Sequence, residues 1–171
     1  PVGERSDDLE FNAWADANLA EHRVPGYAIA TVSLKPIGGV PGDLTDAQMD
    51  AMADLADRYS RGEIRATHEQ NLILPHVKSI DLFDLWSALA LLGLGTGNSG
   101  QVTDIIACPG LDFCSLANAP SISVAQEISE RFGAPERARE IGPLSIKVSG
   151  CINACGHHHV GDIGILGVDK K

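Results

Sequence analysis

The first apolar residues of the chain recur at helical spacing. The segment 7–20 is therefore predicted to form a short helix, with four residues on one face: Phe11, Trp14, Ala15 and Leu19. A Pro-Gly pair at 25–26 ends this region, and residues 27–35 are predicted to form a strand.

A second amphipathic segment begins at a capping box. Thr45 and Gln48 have the spacing at which each side chain can bond the other residue's backbone N–H. The apolar residues that follow are spaced for one helix face, and Gly62 is expected to end the helix. They are Met49, Met52, Ala56 and Tyr59.

The next elements complete a recognisable order. Residues 64–67 and 71–74 are predicted to form a hairpin, and residues 102–107 a further strand. Between them Ser79 is expected to cap a second helix, whose buried face has four residues: Leu82, Trp86, Leu89 and Leu92. The order β-α-β-β-α-β is that of a ferredoxin-like fold, with two helices on one antiparallel sheet.

The remaining segment has a different pattern. Residues 121–132 are predicted to form a helix, and residues 144–149 and 160–168 two strands. The fold class is thus α+β. Its predicted parts are an N-terminal linker with a short helix (1–22), a ferredoxin-like half-domain (23–107) and a separate α/β unit (108–171).

Composition and charge exclude several functions. Hydrophobic residues make up 44% of the 171 residues, which is enough for a globular core. The formal net charge of −10 argues against nucleic-acid binding and means that any anion site needs local basic groups. No apolar stretch reaches membrane-spanning length, and the first residues do not resemble a signal peptide, so we expect a cytoplasmic protein without a membrane span.

The four cysteines carry the sharpest chemical signal. Cys108 and Cys114 have five residues between them, Cys151 and Cys155 have three, and 36 residues separate the pairs. Zinc loops favour two-residue gaps, whereas a cubane iron–sulfur cluster is larger and suits wider spacing. Metal or cluster binding is therefore favoured over four buried or disulfide-bonded cysteines.

Two other motifs have ordinary interpretations. Residues 95–100 match G-x-G-x-x-G, but a helix precedes them and a strand follows, which is the reverse of a dinucleotide site. Residues 157–159 are three consecutive histidines, whose side chains alternate in direction on an extended chain and rarely meet on one ion. The glycine motif is explained by a turn between a helix and a strand, and the histidines by a polar loop that leads into a strand.

The cysteine segments resemble a known family. CPGLDFC (108–114) and GCINACG (150–156) are similar to the cluster-and-siroheme signature of nitrite/sulfite reductases. The stretches VPGYAIATVSLKPIGGVPGDLT (24–45) and GEIRATHEQNLIL (62–74) resemble the ferredoxin-like half-domain of that family. The resemblance implies that residues 108–171 are part of a siroheme/[4Fe–4S] domain.

The resemblance also implies cofactors and residue roles. All four cysteines, Cys108, Cys114, Cys151 and Cys155, would bind a [4Fe–4S] cluster, and Cys155 would also bridge to the iron of a siroheme as the catalytic residue. Three polar residues would line the siroheme pocket: Arg65, Gln70 and Asn71. The implied reaction is the six-electron reduction of sulfite to sulfide or of nitrite to ammonia, with ferredoxin or a flavoprotein subunit as the electron donor.

The chain resembles only the second of the two pseudo-symmetric halves of these enzymes. We therefore expect a fragment truncated at both ends, without reductase activity of its own, whose missing N-terminal half supplies most basic residues for the substrate. The stretches GYAIATVSLKPIGG and GHHHVGDIGILGVDKK favour sulfite over nitrite by resemblance. An iron–sulfur electron carrier and a structural zinc module remain as alternatives.

Overall fold

The computed structural model describes residues 7–169, in two compact units. One unit contains the segment that ends at Leu34 together with Gly42–Ser99, and the other contains Lys35–Pro41 and the segment that begins at Gly100. The outermost residues of the predicted 1–22 and 108–171 regions, 1–6 and 170–171, lie outside the described part. No helix within residues 7–169 is both long and apolar enough to cross a membrane.

The first unit places its helices against one antiparallel sheet with the strand order β1-β2-β4-β3. A 3-10 turn, Ser79–Asp81, precedes the last helix. The elements are α1 (Leu9–Asn18), β1 (Leu19–Glu21), β2 (Tyr27–Val32), α2 (Asp46–Tyr59), β3 (Arg65–Ala66), β4 (Leu72–Lys78) and α3 (Leu82–Leu91).

Burial along β2 alternates, so every second residue faces the core. Ala28, Ala30 and Val32 are buried there, and the residues between them remain partly exposed. The helices cover this face with apolar side chains that include Trp14, Met52, Leu85 and Leu89. The partly exposed residues of β2 therefore lie on the other face of the sheet.

The capping box and the hairpin are confirmed. The Thr45 hydroxyl oxygen accepts the Gln48 backbone N–H at 3.2 Å, and the Gln48 side-chain oxygen accepts that of Thr45 at 3.0 Å. Arg65 pairs with Ile73 across the antiparallel hairpin. Met49, predicted to be buried, is 54% exposed because the buried stripe of α2 begins one turn later at Met52.

Two details of the predicted order are wrong, although the mixed α+β class and the ferredoxin-like half-domain are confirmed. Ser79 does not cap α3; it begins the 3-10 turn, and its N–H donates to the Gly26 carbonyl at 2.9 Å. The strand predicted at 102–107 is reduced to Ile106–Ala107, because a turn closed by the Asp104 N–H on the Gln101 carbonyl precedes it. The strand Ile106–Ala107 belongs to the sheet of the second unit, where it pairs with Ile146–Ser149. The fourth strand of the first sheet is instead β1.

The second unit is built on a parallel three-stranded sheet with the order β5-β6-β7. Its elements are β5 (Ile106–Ala107), α4 (Ile122–Phe132), α5 (Pro135–Ile141), β6 (Ile146–Ser149) and β7 (Ile163–Leu166). Its core consists of Val102, Ile105, Ala107, Ala125, Ala138, Ile146 and Val148. Segment 100–107, assigned to the half-domain on sequence, lies in this unit.

Candidate metal centre

Parallel strands explain why the two cysteine pairs occupy neighbouring loops. Cys108 follows β5 directly, and Cys151 follows β6 after one residue. Because β5 and β6 are parallel, with Ala107 opposite Val148, both chains leave the sheet at the same edge. The carboxyl edge of a parallel sheet is also where α/β folds commonly bind ligands.

The two loops are joined backbone to backbone at Gly150. Its N–H donates to Cys108 Sγ at 3.1 Å, and its carbonyl accepts the N–H groups of Asn118 at 2.8 Å and Ala119 at 3.1 Å. A Cβ at Gly150 would lie 3.0 Å from the Cα of Gly110 and 2.8 Å from the Ala119 carbonyl oxygen. Only glycine allows the loops to approach this closely.

Cys108 has surroundings that favour its thiolate. Burial raises the pKa of its thiol, but hydrogen bonds from Ser121 and from the backbone N–H groups of Gly150, Gly110 and Cys108 itself outweigh burial and lower that pKa. The Ser121 oxygen lies 3.3 Å from Cys108 Sγ and donates to the Cys108 carbonyl at 2.6 Å. A hydroxyl in this position can turn its proton toward a charged sulfur. Cys108 is thus prepared to act as a thiolate ligand.

The other three cysteines differ in exposure. Cys151 is buried, Cys114 is intermediate and Cys155 is exposed. The loop that carries Cys155 has left-handed backbone at Ala154 (φ 58°) and His157 (φ 54°). Such conformations are uncommon for residues with a Cβ and frequently occur at ligand sites.

The donor chemistry of this edge fits an iron–sulfur cluster, whose usual protein ligands are cysteine thiolates. Within residues 7–169, however, no three histidine, cysteine or carboxylate side chains are grouped closely enough to hold one metal ion. Ligation by all four cysteines therefore stays a prediction. Apolar side chains are exposed around these loops, including Phe113 at 83% and Ile152 at 80%.

The three polar residues predicted for the siroheme pocket lie in the first unit, at the β3–β4 hairpin. Arg65 is exposed and is ion-paired with Glu63, and Gln70 occupies the turn with a left-handed φ of 56°. Asn71 is 2% exposed, and its side-chain oxygen accepts the Leu34 N–H at 3.0 Å. The Asn71 amide therefore supports the loop before Lys35, and a cofactor role for these residues stays a prediction.

Sequence reasoning missed the groups that surround Cys108. Ser121 is 13 positions away along the chain, and no local pattern connects the two residues. Gly150, whose N–H is a donor to sulfur, was also not singled out as a donor. Its position immediately before Cys151 was the available signal.

The fold and the site together define a class: a ferredoxin-like half-domain followed by a parallel α/β unit with a cysteine-rich edge. Residues 26–92 match the model of the nitrite/sulfite reductase ferredoxin-like half domain. The chain is 36% identical over 137 residues to a chloroplastic ferredoxin–nitrite reductase from Zea mays, covering 76% of this chain and 23% of the relative. It is 31% identical over 140 residues to sulfite reductase [ferredoxin] 2 from Mycolicibacterium paratuberculosis, covering 78% of this chain and 25% of the relative.

A solved structure agrees with these relatives. The Mycobacterium tuberculosis NirA protein superposes with a TM-score of 0.70 at 27% identity, over 90% of this chain and 28% of NirA. Dissimilatory sulfite reductase I, at 16% identity and a TM-score of 0.59, shares the fold. The chain belongs to the nitrite/sulfite reductase family, and it spans about a quarter of the length of these curated relatives.

Proposed function

We propose that this chain forms the cluster-binding part of a siroheme-dependent sulfite or nitrite reductase. Cys108, Cys114, Cys151 and Cys155 are its [4Fe–4S] ligands. The observation that carries the proposal is the joining of the two cysteine loops at one sheet edge, where the Gly150 N–H donates to Cys108 Sγ at 3.1 Å. Amide N–H groups on a ligating sulfur help to set the reduction potential of a cluster.

Within this proposal the residues have distinct roles. Cys155 is exposed and has room to face a large group, so it would hold the siroheme iron as well as the cluster. Arg65 and Gln70 offer polar groups to siroheme carboxylates, for which a guanidinium is well suited. When bound, the cluster and the siroheme would pass electrons from an external donor to the substrate, and the protein would position and tune them.

Both substrates have support. Sulfite is favoured by the resemblance of the 26–39 and 156–171 stretches to assimilatory sulfite reductases, and nitrite by the 36% identity to the maize enzyme. The relatives' names include ferredoxin, which supports ferredoxin over a flavoprotein subunit as the electron donor. Steady-state kinetics of the complete enzyme with each anion would distinguish the two substrates.

The remaining parts of the proposal concern the complete enzyme. An N-terminal half supplies basic groups that attract the anionic substrate, because the summed field of a chain with a net charge of −10 repels an anion. The isolated chain therefore does not turn over sulfite or nitrite, and reduced methyl viologen with either anion tests this point. We place the enzyme in the cytoplasm.

The first test is anaerobic reconstitution of the chain with iron and sulfide. We expect about four iron and four labile sulfide per chain. Cys155→Ala should lose or destabilise the cluster, whereas Asn153→Ala, an exposed change in the same loop, should keep it. One tightly bound zinc without labile sulfide would instead support a structural zinc module.

A further inference from the structure

A chain of hydrogen bonds crosses one side of the first unit and ends at Arg65. His22 Nε2 lies 3.3 Å from His76 Nδ1, and His76 Nε2 lies 3.0 Å from Glu63 Oε2. The other oxygen of the same carboxylate, Oε1, accepts from Arg65 Nε at 2.7 Å. These four residues, His22, His76, Glu63 and Arg65, are called the histidine–arginine relay below.

The partners of each ring define the direction of the relay. The Val24 N–H donates to His22 Nδ1 at 2.9 Å, so a neutral His22 carries its proton on Nε2 and donates it to His76. His76 then carries its own proton on Nε2 and donates it to Glu63. Each of the two imidazoles thus has one donor and one acceptor in use.

The relay has a place for one more proton. The Val24 carbonyl lies 3.3 Å from His22 Nδ1, so a protonated His22 can donate there while its Nε2–H still donates to His76. Protonation of His76 at Nδ1 would instead place two N–H groups against each other. With both rings neutral, Glu63 and Arg65 offset each other and the relay has no net charge, so one added proton at His22 makes it singly positive.

Beside the pair, the described residues place an aromatic hydroxyl and a cation. The Tyr27 ring lies 5.6 Å from that of His22, and the Tyr27 hydroxyl accepts from Arg61 at 2.8 Å. Arg61 also lies over the Tyr27 ring, 5.0 Å from its centroid. Glu63 is thus the carboxylate that the relay contacts, and Arg65 and His76 hold its pKa below the usual value.

The geometry of Glu63 explains why Arg65 is held in one direction. Arg65 is 61% exposed, and ion pairs this exposed contribute little to folding. Two guanidinium nitrogens, Nε and one terminal nitrogen, meet a single carboxylate oxygen of Glu63. Within residues 7–169 Glu63 is the carboxylate paired with Arg65, so the other edge of the guanidinium can bind an anion.

We propose that Glu63 is a positioning residue for Arg65, and that the His22–His76 pair makes this positioning depend on pH. The proposal rests on the role proposed above for Arg65 toward a siroheme carboxylate. A proton taken up at His22 strengthens the donation from His22 to His76 and from His76 to Glu63, which weakens the hold of the carboxylate on Arg65 and leaves a net positive charge for an anionic group. Histidine is the side chain whose charge changes closest to neutral pH.

Proton–nitrogen NMR of the full chain without siroheme tests the relay directly. We expect the Arg65 Nε–H signal to move with pH in step with the ring signals of His22, the residue that takes up the proton. Glu63→Gln should speed exchange of this proton about tenfold and remove the shared pH dependence. His76→Phe should remove only the shared pH dependence.

Glu136→Gln is the matched control, because it removes the same charge from another exposed pair, Glu136–Arg139 at 3.6 Å. It should leave the Arg65 signal unchanged. A pH-independent Arg65 signal, or one unaffected by Glu63→Gln, would overturn the proposal. Siroheme content of the complete reductase is measured separately in Arg65→Gln. If it is unchanged although the relay behaves as expected, the cofactor role of Arg65 is overturned and the relay proposal stands.

Discussion

At the scale of single residues, Cys108 is the cysteine whose chemistry the structure defines best. Its sulfur is held between backbone amides and the Ser121 hydroxyl, which lower the thiol pKa despite burial. A depressed pKa adds stability that is present above the ordinary thiol pKa. This stability is lost as the pH falls through the lowered value.

Ser121→Ala should therefore raise the pKa of Cys108. The change removes the largest of the hydrogen-bond contributions that oppose burial, because the serine oxygen lies 3.3 Å from the sulfur. The Cβ carbon shift of Cys108, followed against pH by NMR, measures the midpoint. Ser115→Ala, an exposed change in the same loop, should have no effect, and equal midpoints in all three proteins would contradict the prediction.

Gly156 illustrates a second constraint at this scale. A Cβ there would overlap the Val148 carbonyl oxygen, a backbone atom that also accepts the Cys108 N–H at 3.1 Å. Gly156→Ala should cost about 1–3 kcal/mol of unfolding free energy, because strand β6 must shift to admit the methyl group. Urea denaturation measures this cost. A value within experimental error of zero would show that the second cysteine loop adapts freely.

At the scale of elements, a buried ion pair holds the segment 35–41 against the rest of the second unit. Lys35 Nζ lies 2.6 Å from Asp104 Oδ1 with side-chain exposures of 2% and 5%, and Asp104 Oδ2 accepts the Gly100 N–H at 2.8 Å. The same segment bonds α4, where the Ser129 hydroxyl oxygen accepts the Gly38 N–H at 2.9 Å. The turn before β5 therefore depends on a charge supplied from far away in sequence.

Lys35→Met should destabilise the second unit by about 3–5 kcal/mol, because Asp104 remains buried without its countercharge. Lys35→Met combined with Asp104→Asn should recover most of the loss, since the amide oxygen can still accept the Gly100 N–H. Denaturation of the two variants and the wild type gives the comparison. A double variant no more stable than the single one would show that charge burial is not the cause.

Local signals account for the elements that were predicted correctly. The Thr45–Gln48 capping box and the hairpin at 64–74 are encoded within a few residues, so they appear in the structure as expected. The strand predicted at 102–107 is shorter in the structure because a turn between Gln101 and Asp104 precedes it, and its partner strand lies about 40 residues later. The four cysteines were evident from their spacing, but their hydrogen-bond donors come from distant positions.

At the scale of the whole molecule, two hydrophobic cores use separate sets of residues. Both tryptophans, Trp14 and Trp86, belong to the core of the first unit. The core of the second unit contains Ile146 and Val148 of β6, the strand that precedes Cys151. Tryptophan fluorescence therefore reports on the unit without cysteines, and hydrogen exchange is needed to follow the other.

Cluster assembly should stabilise the two cores unequally. A ligand that binds only the folded state stabilises the residues that must be folded to bind it, and all four proposed ligands lie in the second unit. We expect the amides of Ile146 and Val148 to exchange at least about tenfold more slowly after reconstitution, with those of Ala28 and Ala30 unchanged. Slowing confined to β2, or equal in both strands, would contradict ligation at the β5–β6 edge, because that edge is where the cluster must tie the two cysteine loops together.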